Sequence, residues 1–495
     1  GFAQAAVTVE KTYYVPVHTH STLETHGVVA HWEGDQLTVY ASTQGVYAVR
    51  EGLAEALDID RKNVRVICEH MGGGFGSKLG PSATGSAFAM AACKLAKQAG
   101  APVKLMLDRH QEQLCTGNAP SARITVKIGA KKDGTLTAVE YTSYGSAGVA
   151  GGAGTAGPVN SLYANNPNLK VEEYTVFTNT GPSAPLRAPG HSQGAYAVES
   201  TMDELAEKLG MDPLELRKKN ESSPVRAAEY DPGAKAIGWE RRNAKAGDLS
   251  TGQWSGGAPV SLRRDDEGGE GGRGAASPPQ RKKRGIGMAN GNWYVFVAPN
   301  VKAQVKIHRD GSVELLSGAQ DIGTGFRTAI AVLAAEELGI APTDITSRVG
   351  DTQYPEGNAA GGSITTNSVG PAVRLAAHDA KVKLFEVAAG AHDADAGELE
   401  AGGGKVFVAT DPSRSLTFKE AAAKMPGEVI DVTVDRKKQY ESFRGDIAGT
   451  QFAEVEVDTE TGEVRVLKMV SVNDCGFPVN PLTAKNQVIG AMIHG

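Results

Sequence analysis

The sequence predicts an α+β protein that is built from two similar halves. A strand, a glycine-rich loop and a helix follow one another at least three times along the chain. Strands and helices mix without strict alternation, which disfavours a single parallel sheet. Between the halves, residues 262–284 are charged, rich in glycine and almost free of large apolar side chains, as in a linker.

The first half begins with alternating apolar residues and continues with mixed elements. Its predicted strands and helices are strands at 7–17, 36–42, 64–68, 103–107, 124–128 and 136–144, and helices at 46–57, 83–99, 201–209 and 213–220. Asp212 followed by Pro213 gives the last helix an N-cap and a proline in its first turn. Two segments, 71–78 and 147–157, are rich in small residues and are predicted loops.

The second half repeats this style. Its predicted elements are strands at 301–308, 312–316, 345–349 and 406–409, helices at 329–338 and 372–388, loops at 318–325 and 361–370, and a hairpin of 451–458 with 463–472. We therefore expect a first domain at 1–221, a partly disordered linker or insertion at 222–284, and a second domain at 285–495. Residues 262–284 are expected to be exposed.

Composition excludes several classes of protein. The chain has 495 residues, of which 40% are hydrophobic and 22% charged, with a formal net charge of −6, so neither a basic nucleic-acid surface nor a membrane span is expected. No signal peptide is evident in residues 1–10, and we expect a cytoplasmic protein, with export to the periplasm alongside a partner subunit as the alternative. The four cysteines are scattered, so neither a zinc nor an iron–sulfur site is expected on this chain.

The sharpest motif is the glycine loop at 72–78, which reads GGGFGSK. It is not a P-loop, because Ser77 stands where glycine precedes the lysine and no Ser or Thr follows Lys78. It also fails as a dinucleotide fingerprint, since Ser77 occupies the position of the third glycine. A tight connection between strand and helix would not need four glycines around Phe75, so the loop favours a close approach to a ligand.

Five motifs in order make the chain resemble the molybdenum hydroxylases, the xanthine dehydrogenase/aldehyde oxidase family. The glycine loop is similar to the family's GGGFGGK, and Gln44 lies 31 residues before Phe75, as in its S-T-Q motif. Residues 186–213 match the family pattern F-R-G-x-G-x-P-Q-G…E…M-D-E-L-A…L-G-x-D-P. Residues 317–328 and 361–370 resemble the family's two further pterin-binding loops. Residues 474–495 match the pattern D-x-G…N-P…G-Q…G. Asn486 departs from the last pattern. The resemblance spans nearly the whole chain apart from 221–284.

The resemblance implies a large-subunit fold with the molybdenum–molybdopterin cofactor between the two halves. It gives catalytic roles to Gln44, which would contact the ligand shell of molybdenum, to Phe75 beside the substrate, and to Arg187, which would polarise it. The implied cofactor-binding residues are Gly74, Phe75, Gly76, Gly323, Thr324, Gly325, Gly362, Ser363, Thr365, Thr366 and Gln487. The alternative is that these Gly, Ser and Thr residues only cap the N-termini of helices. We also expect the Arg187 side chain to make few contacts with helices or strands.

The implied reaction is hydroxylation of carbon with oxygen from water, with electrons leaving to 2Fe–2S and FAD groups on partner subunits. The cofactor is expected in its cytosine dinucleotide form. The family's catalytic glutamate, in G-V-G-E-P, is not in this sequence, so the remaining part of the large subunit is an implied partner. Glu199 is a poor substitute, because it lies on the helix after the arginine loop. The alternative is a non-catalytic fragment that only binds cofactor.

Three positions bear on the substrate. Leu79 stands where the xanthine branch has a glutamate, residues 147–160 offer no arginine for a purine oxygen, and residues 183–186 lack the cysteine of the carbon monoxide branch. An aldehyde or an aromatic N-heterocycle is the predicted substrate, with a purine as the alternative. His18 and His20 alternate on a strand, but a protein-ligated metal is not expected there, since His20 and Glu24 resemble a structural element of the family.

Overall fold

The computed structural model describes residues 1–79, 85–163, 165–166, 168–243, 282–436 and 447–495. The strands of these residues are β1 (Val7–Val15), β2 (Gly27–Glu33), β3 (Gln36–Ala41), β4 (Val64–Ile67), β5 (Val103–Met106), β6 (Ala122–Ala130), β7 (Leu136–Gly148), β8 (Leu169–Phe177), β9 (Lys282–Trp293), β10 (Lys302–His308), β11 (Val313–Ser317), β12 (Ile345–Val349), β13 (Leu399–Gly402), β14 (Lys405–Val408), β15 (Asp411–Thr417), β16 (Val429–Asp435), β17 (Ile447–Asp458) and β18 (Val464–Asp474).

The helices of the same residues are α1 (Val46–Leu57), α2 (Gly85–Ala99), α3 (Arg109–Cys115), α4 (Gly157–Ser161), α5 (His191–Leu209), α6 (Pro213–Asn220), α7 (Pro224–Ile237), α8 (Phe326–Leu338), α9 (Thr365–His392), α10 (Phe418–Ala422) and α11 (Pro481–His494). Within the described ranges, none of them has the length and apolar character that crossing a membrane requires.

Two four-stranded sheets repeat one arrangement. The first has the order β4-β3-β2-β5, and the second has the order β12-β11-β10-β16. In each, an antiparallel hairpin (β2–β3 or β10–β11) leads through a helix to a strand that pairs in parallel with the second hairpin strand. A second helix then precedes a last strand that pairs antiparallel with the first one, and in the second half the three-stranded sheet β13-β14-β15 and α10 are inserted between them. This repeat confirms the prediction of two similar mixed halves.

Each repeated sheet has its own hydrophobic core, which its two helices cover. In the first half, alternate residues of β3 such as Leu37 and Val39 are buried against Leu53 of α1. In the second half, Val305 and Leu315 are buried with residues of α8 and α9. Alternation along the strands therefore fixes which face of each sheet meets the helices.

The two repeated sheets meet where their parallel strands end. The backbone amide of Cys68 donates to the Gly350 carbonyl at 2.7 Å, and the amide of Thr352 donates to the Val66 carbonyl at 3.1 Å. Beside them, the Arg65 guanidinium contacts the buried Asp351 carboxylate at 2.5 Å. The loops that leave β3, β4, β11 and β12 therefore lie close together at this junction.

Two further sheets flank the junction. One has the order β1-β6-β7-β8 and packs against α5, and the other has the order β18-β17-β9 and packs against α7. The predicted hairpin is confirmed as β17 and β18, which pair antiparallel. Helix α5 starts at His191, ten residues before the predicted start of a helix at 201.

The segment 222–284, predicted to be a linker, carries ordered elements at both of its ends. Helix α7 is built from Pro224–Ile237, and β9 begins at Lys282 and pairs with β17 along its whole length. The remainder of that prediction, residues 244–281, lies outside the described residues.

A buried ionic group ties β9 to the first half. The Glu199 carboxylate accepts hydrogen bonds from the Arg217 guanidinium at 2.7 Å and from the backbone amide of Asn290 at 2.8 Å. Tyr163 donates to the same carboxylate at 2.5 Å. With its oxygens engaged in this way, Glu199 has a structural role that joins β9 to the first half.

Candidate functional site

Gln44 joins the two halves of the molecule. It follows β3, is 2% exposed, and accepts a hydrogen bond at Oε1 from the backbone amide of Gly76 at 2.9 Å. Its Nε2 donates to the carbonyl of Ala360, in the loop after β12, at 2.7 Å. The backbone amide of Ala360 in turn donates to the Gln44 carbonyl at 2.7 Å. The predicted site glutamine is therefore a fixed contact between the two glycine-rich loops.

The loop that carries Phe75 requires its glycines. A Cβ atom on Gly74 would lie 2.4 Å from Oε1 of Gln44, and one on Gly76 would lie 2.1 Å from the Pro185 carbonyl oxygen. Phe75 itself adopts a left-handed backbone conformation, with φ of 52°. The loop is thus pressed between Gln44 and the arginine loop, with the Phe75 side chain half-buried.

Buried polar groups stabilise the loop that carries Phe75. The Lys78 ammonium is buried and donates to the Glu24 carbonyl at 2.7 Å, and burial lowers the pKa of this lysine. The Glu24 carboxylate accepts from the backbone amide of Gly72 at 2.5 Å. His20 contacts the Pro185 carbonyl through Nε2 at 2.6 Å. His20 and Glu24 therefore support loops. The described residues contain no cluster of three His, Cys, Asp or Glu side chains able to hold a metal ion.

Arg187 lies against the Phe75 loop and against α11. Its backbone amide donates to the Phe75 carbonyl at 2.8 Å, and its guanidinium donates to the Gln487 carbonyl at 2.7 Å. The sequence predicted few helix or strand contacts for this side chain, and its hydrogen bonds among the described residues go to one helix residue, Gln487 of α11, 300 positions away in sequence. Burial lowers the pKa of Arg187, although a guanidinium remains charged at neutral pH.

The α11 helix adds one residue, His494, that the sequence interpretation missed. The His494 ring meets the Phe75 ring edge to face, with centroids 4.9 Å apart. Gln487 reaches the Gly323 carbonyl through Nε2 at 3.5 Å, so α11 touches loops of both halves. Only distant packing brings His494 to Phe75, and no local pattern in the sequence could have indicated it.

In the loop before α8, the backbone amides already donate to a side chain of the same loop. One oxygen of the Asp321 carboxylate accepts from the backbone amides of Gly323, Thr324 and Gly325 at 3.0, 3.1 and 3.2 Å. The other oxygen accepts from the amide of Arg327 at 2.9 Å. In this conformation the three predicted cofactor residues direct their amides at Asp321, so any contact with a ligand uses other atoms.

The loop before α9 is organised differently. Among the described residues no side chain caps the start of this 28-residue helix at Thr365, so its first amides, including that of Thr366, are available to an anion. Ser363 is exposed and left-handed, with φ of 60°. The Gly362 carbonyl accepts from the Trp293 indole at 2.9 Å, which fixes the loop. An uncapped helix start beside an exposed hydroxyl fits the phosphate of a pterin cofactor.

Backbone strain concentrates at these loops. Six non-glycine residues of the described part of the chain have positive φ, and two of them, Asp58 and Asp393, are C-caps of helices. The other four lie in the site loops or beside them: Ser21, Phe75, Ala188 and Ser363. Strain of this kind persists where the surrounding structure enforces it, which is typical of functional sites. Gln44, Phe75 and Arg187 thus lie in contacting loops, and the loop of Gly362 and Ser363 meets Gln44 through Ala360.

Comparison with known proteins matches one family model to each half of the chain. A family model described as a molybdopterin cofactor-binding domain matches residues 1–221, and a second model of that description matches residues 268–495. The aldehyde oxidoreductase molybdenum-binding subunit PaoC of Escherichia coli K12 is 31% identical over 512 residues, which cover 100% of this chain and 64% of that subunit. The probable hypoxanthine oxidase XdhD of E. coli O157:H7 is 30% identical over 520 residues, with 100% and 51% covered.

A solved structure agrees with this in fold. Quinoline 2-oxidoreductase from Pseudomonas putida 86 superposes with a TM-score of 0.81 at 22% identity, over 99% of this chain and 64% of that one. The chain therefore spans less than two thirds of the length of each of these relatives.

Proposed function

Because the chain belongs to the molybdenum hydroxylase family, we propose that it forms the molybdopterin-binding part of an oxidoreductase that hydroxylates an aldehyde or an aromatic N-heterocycle. The observation that carries this proposal is the contact of Gln44 with both glycine-rich loops, next to Phe75 and Arg187. One buried amide, one half-buried aromatic ring and one cation thereby meet at the junction of two cofactor-binding domains.

The residues present fit the cofactor, and the second half supplies most of its contacts. We propose that the exposed Ser363 and the uncapped amides of Thr365 and Thr366 hold the phosphate end. Gly323 leaves open space, since a Cβ there would meet nothing within 4 Å. When bound, the cofactor transfers oxygen derived from water to carbon and accepts two electrons.

Residues of the first half would act on the substrate. Phe75 offers an aromatic face, held in place by the left-handed turn at its own position. The Arg187 guanidinium, fixed by the Gln487 carbonyl, would attract the electron-rich oxygen or nitrogen of the substrate and stabilise negative charge that develops on it. Gln44, held rigidly by its neighbours, would keep the metal end of the cofactor in a fixed position relative to Phe75 and Arg187.

The substrate class is proposed from the neighbourhood of Leu79. This apolar side chain packs on Gly361, where a Cβ would lie 2.9 Å from its Cδ1 atom. A purine needs a hydrogen-bonding partner at such a position, whereas an aldehyde or an aromatic ring accepts an apolar one. A relative named an aldehyde oxidoreductase subunit supports the same choice, and a purine is the alternative.

Electron transfer would require partner subunits. Two of the four cysteines of the chain are buried and two are exposed, and they are scattered along the sequence rather than clustered as a 2Fe–2S site requires. We propose that iron–sulfur and FAD groups lie on partners, that the cofactor carries cytosine, and that the base is a glutamate of the remaining large subunit. The thiols also favour the reducing cytoplasm over the periplasm.

The test is purification of this chain with the rest of its large subunit and its partners. Molybdenum, pterin and cytosine nucleotide are measured per chain, and turnover is measured with a benzaldehyde, a quinoline and xanthine. We expect about one molybdenum and one cytosine nucleotide per chain, with aldehyde or quinoline oxidised faster than xanthine. Full molybdenum loading without turnover of any of the three would instead favour a non-catalytic role.

A further inference from the structure

Two side-chain oxygens beside the cofactor loops are buried without a hydrogen-bond partner among the described residues. They are Oε1 of Gln320, a residue that is 1% exposed, and Oδ1 of Asn358. The loops that carry them are in direct contact, because a Cβ on Gly357 would lie 2.2 Å from the backbone nitrogen of Ala319. The two oxygens therefore belong to neighbouring positions of two touching loops.

The orientation of both amide groups is set by the backbone. Nε2 of Gln320 donates to the Gly318 carbonyl at 2.6 Å, and Nδ2 of Asn358 donates to the Ala359 carbonyl at 2.8 Å. Rotating either amide by half a turn would bring oxygen against oxygen. The free end of each side chain is therefore its oxygen, which can only accept a hydrogen bond.

Gln320 occupies the same position in the second half as Gln44 in the first. Each lies three residues beyond the second hairpin strand, which ends at Ala41 in one half and at Ser317 in the other. Gln44 uses both ends of its amide, and one of its partners is Ala360, two residues after Asn358. The unpaired oxygens thus lie in the loops that carry the other predicted cofactor contacts.

We propose that Gln320 and Asn358 bind the N–H donors of the cofactor's heterocycle. This inference rests on the proposed cofactor site. A buried acceptor without a donor is unfavourable, so a group that brings donors is bound more tightly. Phosphates bring none at neutral pH, whereas the pterin ring and the cytosine base both carry N–H groups. The pair would hold the cofactor through one of these two rings and would not take part in the reaction.

The experiment replaces Gln320 by methionine, which has a similar shape and no acceptor oxygen. The matched control is Gln353→Met, at an exposed position of the loop that follows β12. Asn358→Ala is a second variant, at a half-buried residue. For each variant of the full large subunit, the rate of molybdopterin loss and the melting temperatures of holoprotein and apoprotein are measured. The apoprotein is made in a host that cannot synthesise the cofactor.

We expect both site variants to lose molybdopterin roughly tenfold faster than the wild type, with little change in the melting temperature of the apoprotein. The control should match the wild type in every measurement. Faster loss of both the plain molybdopterin and the dinucleotide form would identify the pterin ring as the ligand, and faster loss of the dinucleotide form alone would identify the base.

Unchanged cofactor loss in Gln320→Met and Asn358→Ala would overturn the inference. If, in addition, holoprotein and apoprotein melt at equally lowered temperatures, the oxygens serve an enclosed water instead. A wild-type subunit that retains no molybdopterin at all would contradict the proposed function itself, and this outcome is separate from the other two.

Discussion

Replacing Gln44 by glutamate tests the contact between the two halves. The change keeps the shape of the side chain but exchanges the amide group that donates to the Ala360 carbonyl at 2.7 Å for an oxygen. Oε1 can still accept from the Gly76 amide. The new carboxyl group can restore the lost bond only by keeping a proton, because the other atom in that contact is also an acceptor.

The cost can be worked out from this requirement. Holding a carboxyl group protonated at pH 7, when its ordinary pKa is about 4.3, costs about 3.7 kcal/mol, and at pH 5 the cost falls to about 1 kcal/mol. The charged alternative loses the bond, leaves a carbonyl unpaired and buries a charge at a residue that is 2% exposed, which costs more. The pKa of the introduced carboxyl group is therefore raised in the folded state, so stability is retained at low pH and lost as pH rises.

The assay is urea unfolding of the wild type and Gln44→Glu at pH 5 and pH 7. We expect the loss in free energy of unfolding to be about 1 kcal/mol at pH 5 and close to 4 kcal/mol at pH 7. The control is Gln36→Glu, because the exposed Gln36 also donates through Nε2, to Asn63 at 3.0 Å, and should change stability by less than about 0.5 kcal/mol. Equal destabilisation of Gln44→Glu at both pH values would refute the reasoning.

Three other substitutions test the site and its support. Arg187→Ala should lower turnover by roughly 10²–10³-fold at full molybdenum content; unchanged turnover would make this arginine purely structural, as its bond to Gln487 alone would allow. Leu79→Glu, beside Gly361, should weaken aldehyde turnover and favour purines in a comparison of kcat/KM values, and unchanged preference would remove Leu79 from the substrate pocket. Burial raises the pKa of Glu229 to about 7, so wild-type stability should fall as pH rises through 7, and Glu229→Gln should abolish that dependence in melting curves at pH 5–8.

The sequence predicted those elements whose signals are local. Helix α1 was predicted with its observed bounds from apolar spacing, and α6 from the Asp212–Pro213 start, where the Asp212 side chain accepts from the backbone amide of Leu214. Such features depend on nearby residues, so a single sequence carries them. The association of Gln44 with Phe75 came instead from the resemblance to two family motifs.

The missed elements depend on distant packing. Helix α7 contains Pro232 and Gly233, both of which argue against a helix, yet a Cβ on Gly233 would lie 2.2 Å from the Phe452 ring of β17. The glycine is there because the sheet approaches closely. Strand β9 has no apolar run, and its pairing with β17 defines it. The bond from Arg187 to Gln487 joins residues too far apart in sequence for a local pattern to indicate.

The repeated halves also differ in how fully the polar groups of their loops are paired. In the first half, Gln44 has both ends of its amide paired, and its neighbouring loops carry Phe75 and Arg187. In the second half, among the described residues, the Gln320 oxygen has no partner and α9 begins without a side-chain cap. A paired loop is rigid and can position a ring and a cation, whereas unpaired donors and acceptors gain stability from a polar ligand. Under the proposed function, the same strand and helix order would support substrate contacts on one side of the junction and cofactor contacts on the other.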